Sequence, residues 1–188
     1  MAQFDLAYNI TKGNEGGYSN NPNDHGGRTY RGISEKNFPD WEGWKIIDQY
    51  EPIKEGYVIK NPVLDKMIYD FYQRVFWEPN HLSDISNQVL TNEIYDAGVN
   101  FGVGTAAIML QKSLNLLNNN GKKFADLKVD GVIGWMTTQA VNSFQRQMDL
   151  MKTFNGERFC RYKEICEKDP SQEVFFQSWL NRINFENK

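Results

Sequence analysis

Glu15 and Asp24 stand nine residues apart in the segment EGGYSNNPNDHGGRTYRG, and Thr29 follows Asp24 by five. Two acids joined by a short reversing loop are the minimum equipment for cleaving a glycosidic bond. One must arrive protonated and deliver its proton to the leaving oxygen. The other must stay ionised, either to activate water or to steady positive charge on the sugar ring. The expected surroundings differ in the sense this division needs. Glu15 falls at the predicted end of the first helix, just before Gly16 and Gly17, where the negative end of the helix dipole disfavours an ionised carboxylate. Cover by Tyr18 or Ile33 would act in the same direction. Asp24, flanked by Asn23 and close to Gly26 and Gly27, is expected among backbone and water donors that keep it charged. Each acid also has an ordinary structural reading, as a helix stop with a turn or as an Asx turn. Thr29 either orients a water molecule or bonds the backbone of its own hairpin.

Helical periodicity supplies most of the frame that must hold these groups. Residues 3–14 put Phe4, Ala7, Tyr8 and Thr11 on one face. After Pro62 the apolar positions Val63, Leu64, Met67, Ile68, Phe71, Tyr72, Val75 and Phe76 fall in pairs four apart, with Pro62 near the start and Pro79 just after the end. Further helices are predicted at 85–98, 104–117, 136–151, 157–167 and 172–184. Between the first helix and residue 62 the pattern breaks up: Asn20–Asn23 and Gly26–Gly27 punctuate short polar pieces that read as a small hairpin or irregular loop region, and 35–61, with Trp41 and Trp44, lack a clean period. The fold class expected is mainly α (α+β), helical with a small β element at the site. Two regions, 1–95 and 96–188, are expected to pack together.

Composition narrows the function classes. The chain has 188 residues and a formal net charge of −3, which leaves no basic stripe for nucleic acid. A polymer substrate has to be held by hydrogen bonds and ring stacking, for which five Trp and nine Tyr offer material. Cys160 and Cys166 lie six apart in a predicted helix. Their side chains diverge by roughly 240°, too far round for a disulfide. No stretch has the length of a membrane span, so stable membrane insertion is not expected. The N-terminus lacks the pattern of a secretory signal. Two histidines and no Cys–His grouping fall short of zinc spacing, and no calcium-loop pattern ends in Glu. Neither a metal nor another cofactor is therefore expected.

The motifs resemble family 108 of the glycoside hydrolases, lysozyme-like N-acetylmuramidases that include phage and prophage endolysins and proteins called secretion activators. The resemblance runs through Glu15-Gly-Gly-Tyr18, Pro22-Asn23-Asp24, Gly26-Gly27 and Thr29-x-x-Gly32-Ile33-Ser34. It continues at Ile68-Tyr69, Phe76-Trp77 and Tyr95-Asp96-Ala97-Gly98-Val99-Asn100-Phe101-Gly102. Leu110-Gln111, Leu114-Asn115, Val129-Asp130-Gly131-Val132-Ile133-Gly134 and Thr137 resemble the predicted peptidoglycan-binding region that follows in that family. The resemblance implies a lysozyme-like fold, with the family's catalytic acid falling on Glu15. The order Glu15, Asp24, Thr29 is also similar to the Glu–Asp–Thr set of T4-type phage lysozymes. Two positions depart from the pattern: Trp135 stands where proline is usual, and His25 where proline is frequent.

A glycan needs polar partners for its hydroxyl and acetamido groups and flat faces for its rings. Tyr18, Asn92, Tyr95 and Asn100 are the candidates, with Trp77 assigned to the core. Asp96 lies four residues before Asn100 on one helix face, and either lines a cleft with it or pins the adjoining loop. The resemblance implies hydrolysis of the β-1,4 bond between N-acetylmuramic acid and N-acetylglucosamine, with peptidoglycan strands as partner. A monomer, made in the bacterial cytoplasm and reaching the wall through a holin-type pore, is expected. The alternatives are a lytic transglycosylase, and a non-catalytic wall-binding or export-helper protein.

Overall fold

The computed structural model describes residues 1–12, 16–20 and 27–183. The molecule is mainly helical and lysozyme-like in class, with one small antiparallel sheet. Its elements are α1 (Phe4–Thr11), β1 (Tyr18–Ser19), β2 (Thr29–Tyr30), β3 (Ile33–Ser34), α2 (Gly43–Ile47), α3 (Pro62–Tyr72), α4 (Gln88–Phe101), α5 (Val103–Leu117), α6 (Trp135–Ser143), α7 (Gln147–Lys168) and α8 (Glu173–Leu180). Two compact units divide the chain: Tyr8–Arg74, and Met1–Ala7 with Val75–Lys188. That division differs from the one expected at residue 95, which would fall within the continuous helix α4.

In the unit Tyr8–Arg74 the sheet order is β1-β2-β3, with Tyr18 opposite Tyr30, Ser19 opposite Thr29, and Tyr30 opposite Ile33. Arg31 and Gly32 close the β2–β3 hairpin with φ of 45° and 78°. Two positive values in a two-residue connection define the primed turn that matches strand twist, and Gly32 takes the second without strain. Helix α3 starts as its sequence demands. The Asn61 side chain accepts from the amides of Val63 and Leu64, and Pro62 occupies the first turn. Its buried face is Leu64, Ile68, Phe71 and Tyr72. Tyr8 meets Tyr69 and Tyr72 edge-on or tilted, and Phe38, Trp41, Trp44 and Phe71 form an aromatic cluster. The aperiodic stretch 35–61 is thereby held by rings, not by a long helix.

In the other unit, α4, α5 and α7 pack on one another, with α6 against α5 and α8 against α7. The core is drawn from Leu90 and Ile94, Leu110 and Leu114, Val141, Leu150 and Phe154. Phe4 packs edge-on against Trp77 and Tyr95. The helix predicted over 136–151 is two helices. Phe144 turns extended (φ −74°, ψ 112°), and the Gln147 amide donates to the carbonyls of Val141 (2.7 Å) and Phe144 (2.6 Å). Phe144 stays buried across the break, so the apolar spacing runs on while the backbone does not. The helix predicted over 157–167 is the second half of α7. Both cysteines are free, Cys160 exposed and Cys166 buried.

Candidate active site

Glu15, Asp24 and His25 lie outside the described residues; the described chain on either side of them forms the frame. Gly16 and Gly17 follow Glu15 directly, and β1 begins at Tyr18. The Tyr18 amide donates to the Tyr57 carbonyl (2.9 Å) and the Gly56 amide donates to the Tyr18 carbonyl (2.7 Å). This ties β1 to the 54–57 turn on the edge away from β2. The approach is close: a Cβ on Gly17 would lie 2.4 Å from the Gly56 carbonyl oxygen, whereas one on Gly16 would meet nothing within 4 Å among the described residues. The glycine at position 17 is thus a packing requirement.

Downstream of Asp24 the chain is fixed by Arg28. Its guanidinium donates to both carboxylate oxygens of Glu35 (2.8 and 2.5 Å), to Asp48 (2.6 Å) and to Glu51 (3.4 Å). It also lies 5.0 Å from the centre of the Trp44 ring, a cation–π distance. These bonds hold the Arg28 charge still more firmly than usual. Glu51 in turn accepts from the Tyr18 hydroxyl (2.7 Å). That bond, with those from the Ile53 amide and Arg28, keeps its carboxyl below the ordinary range, while burial and Glu51 push the Tyr18 phenol up. Tyr18 and Arg28, three and two residues beyond the two undescribed stretches, are therefore locked through one carboxylate. Spacing gave no hint of this knot, because its acids come from 35, 48 and 51, the stretch without a period.

The predicted site residues fall into two groups. Tyr18 and Thr29 are brought together on adjacent strands. Tyr18 is only 4% exposed and its hydroxyl is committed to Glu51, so it braces the strand. The Thr29 hydroxyl donates to the Gly27 carbonyl (3.2 Å), the local bond that was one of its two readings, and its oxygen keeps lone pairs for a water. Tyr30, beside it, is fully buried and its hydroxyl accepts from the Ile59 amide (3.0 Å).

Asn92, Tyr95 and Asn100 lie on α4, in the other unit. Tyr95 is fully buried between Phe4 and Trp77. Trp77 is core as expected, its indole N–H donating to the Ser83 hydroxyl (2.8 Å). Asn92 is half-buried and accepts from the Gln88 amide (2.7 Å); Asn100 is exposed and donates to the Asp96 carbonyl (2.7 Å) and carboxylate (3.2 Å).

Asp96 also accepts from Arg158 (2.5 Å) and Arg182 (3.3 Å). Arg158, fully buried, also pairs with Glu93. Asp96 thus ties α4 to α7 and the C-terminal segment, a role that neither of its two readings named. Burial pushes the Glu93 carboxyl up to about 7, against the pull of Arg158. Sequence reading missed this cluster, although the spacing Phe154, Arg158, Tyr162 places Arg158 on the buried face of α7. Among the described residues no group of three or more His, Cys, Asp or Glu could hold a metal ion. No helix among them is long and apolar enough to cross a membrane.

A lysozyme-like helical chain with a short sheet bordering a two-acid segment defines the class. The chain belongs to the glycosyl hydrolase 108 family, whose model matches residues 8–102; residues 105–184 match the model of a predicted peptidoglycan domain. Together these make it a glycoside hydrolase family member directed to peptidoglycan of the bacterial cell wall. No curated protein matches the chain. Its fold is similar to that of Brucella abortus SagA, with a TM-score of 0.69 and 23% identity over 96% of this chain and 88% of that one.

Proposed function

We propose that the protein is a lysozyme-type N-acetylmuramidase, cleaving the β-1,4 bond between N-acetylmuramic acid and N-acetylglucosamine. The observation that carries this reading is the family match over residues 8–102, joined to the places of the two acids in the chain. Glu15 comes three residues before β1 and Asp24 lies in the β1–β2 connection. Glu15 acts as general acid, protonating the leaving glycosidic oxygen. Asp24 acts as base toward a water on the opposite face of the sugar, giving inversion; that role asks for a carboxyl separation of about 6.5–9.5 Å, against about 5–5.5 Å for retention. Thr29, anchored on Gly27, positions that water. Asn92 and Asn100 bond the glycan. The protein works as a monomer at the wall, which it reaches through a holin-type pore.

Glu15→Gln should abolish release of reducing ends from purified sacculi while leaving the melting temperature unchanged. Full activity in that variant would end the assignment. Mass spectrometry of the products separates the neighbouring chemistry: anhydromuramic ends, with Asp24→Asn nearly silent, would make the enzyme a lytic transglycosylase. Sacculus pelleting without any release of reducing ends would leave a wall-binding protein.

A further inference from the structure

The Asp130-Gly131 turn, one of the sequence motifs, is structural. The buried Gln111 amide of α5 donates to the Asp130 carboxylate and the Val132 carbonyl (2.9 Å each) and accepts from the amides of Asp130 and Gly131 (3.1 Å each). One turn on, Asn115 bonds both backbone groups of Leu127 (2.8 Å each), and Asn118 holds Asp126 and Gly121. Three amides on one helix face therefore fix the segment that leads into α6. Gly134, immediately before the helix, is extended (φ −94°, ψ −172°), the conformation that a following proline requires. An extended residue before the first helical position is compatible with proline at 135, yet the chain carries tryptophan there.

That indole is 76% exposed, with Met136 at 60% and Val132 at 56% beside it. It forms a wall shared by two concavities. One, of about 250 Å³, is also lined by Lys128, Asp130 and Met136. The other, of about 500 Å³, is also lined by His81, Asp84 and Gln139. A protruding indole with a polar hollow on each side suits a pyranose chain, whose rings offer apolar C–H faces and a rim of hydroxyl and acetamido groups. The surrounding charges are of both signs, which gives no field for an anionic lipid surface or nucleic acid. Four exposed apolar side chains, Trp135, Met136, Val132 and Met1, are also a small patch beside the roughly 20–30 residues per side of a stable protein interface.

We infer that Trp135 is a stacking platform for the N-acetylhexosamine rings of a glycan strand, with its flanking hollows taking the sugars on either side. The inference rests on the peptidoglycan-directed reading and gives the wall-binding region a defined contact. Its test uses the full chain carrying Glu15→Gln, with purified sacculi in a pelleting assay and chitotetraose in a tryptophan-fluorescence titration. Trp135→Ala and Trp135→Pro should each weaken sacculus binding by about tenfold or more, the scale of a lost aromatic anchor, and Trp135→Phe should retain most of it. The fluorescence change with chitotetraose should vanish in the first two. Melting temperatures should stay constant, since the indole is exposed and proline fits the first helical turn.

Binding to sacculi undiminished in Trp135→Ala overturns the inference. So does loss of binding in Trp135→Phe equal to that in Trp135→Ala, or binding of the parent to phosphatidylglycerol vesicles that depends on Trp135. Release of reducing ends by the protein with Glu15 intact is measured in parallel. Its absence counts against the hydrolase reading, whereas its presence with Trp135-independent binding counts against the platform alone.

Discussion

Replacing Gly17 with alanine isolates how the segment around Glu15 is positioned. The added methyl carbon would lie 2.4 Å from the Gly56 carbonyl oxygen and 2.5 Å from that of Tyr57, both backbone atoms, whereas ordinary contact begins near 3.4 Å. Relief therefore requires strand β1 and the 54–57 turn to separate by about 1 Å, the overpacking that a rigid interior resists. The two hydrogen bonds joining them, 2.9 and 2.7 Å long, would stretch past useful length. Two neutral hydrogen bonds at about 1 kcal/mol each, with about 1 kcal/mol of residual strain, give a destabilisation of about 3 kcal/mol. For a chain of this size that is a fall in melting temperature of about 6–12 °C.

Gly16→Ala is the matched control. Among the described residues nothing lies within 4 Å of its Cβ position, and an added methyl there restricts the unfolded chain, for a change of about 0 to +1 kcal/mol. Activity should follow the same split when measured well below both melting temperatures. Glu15 is two residues from Gly17, and a displacement of about 1 Å at a catalytic group can lower turnover by about 100-fold. Gly17→Ala should be severely impaired on purified sacculi and Gly16→Ala close to the parent. If the two variants melt and turn over alike, the close approach at Gly17 does not position the acid and the reasoning fails.

The Glu93 carboxyl, raised by burial from the usual 4.5 to about 7, holds its proton more tightly in the folded than in the unfolded chain. Its contribution is full below pH ~4.5 and is lost as pH rises through ~7, up to about 3 kcal/mol; the parent's melting temperature should fall from pH 5 to pH 8, and Glu93→Gln should flatten that slope. Identical slopes in parent and variant, followed by calorimetry, would refute the assignment. Gln111→Leu removes four part-buried hydrogen bonds to the 130–132 turn, for about 3 kcal/mol and a melting temperature lower by about 6–12 °C. A variant that melts with the parent would mean that the turn holds itself.

What was legible in the sequence is what local chemistry determines. Phe4, Ala7, Tyr8 and Thr11 announce α1 by spacing, and all four are buried. Pro62 announces the start of α3. The break between α6 and α7 was hidden, because Phe144 keeps the apolar pattern while a glutamine from the next helix satisfies the carbonyls at the end of the first. The partners of Tyr18 and Tyr95 were hidden for a related reason. A tyrosine beside a catalytic motif offers the same ring to a sugar as to a core, and only the partners decide, Glu51 in one case and Phe4 with Trp77 in the other. The partners of Arg28 and Arg158 were illegible because ion pairs join positions that no periodicity links. Trp135 shows the converse. Its departure from a proline pattern was visible in the sequence, but its meaning rests on the exposure of the indole and on hollows made by residues 81–84 and 128–142. Substitution at a place where the backbone already suits proline leaves the fold untouched and changes only what the surface offers, which is how a structural turn can come to carry a binding function.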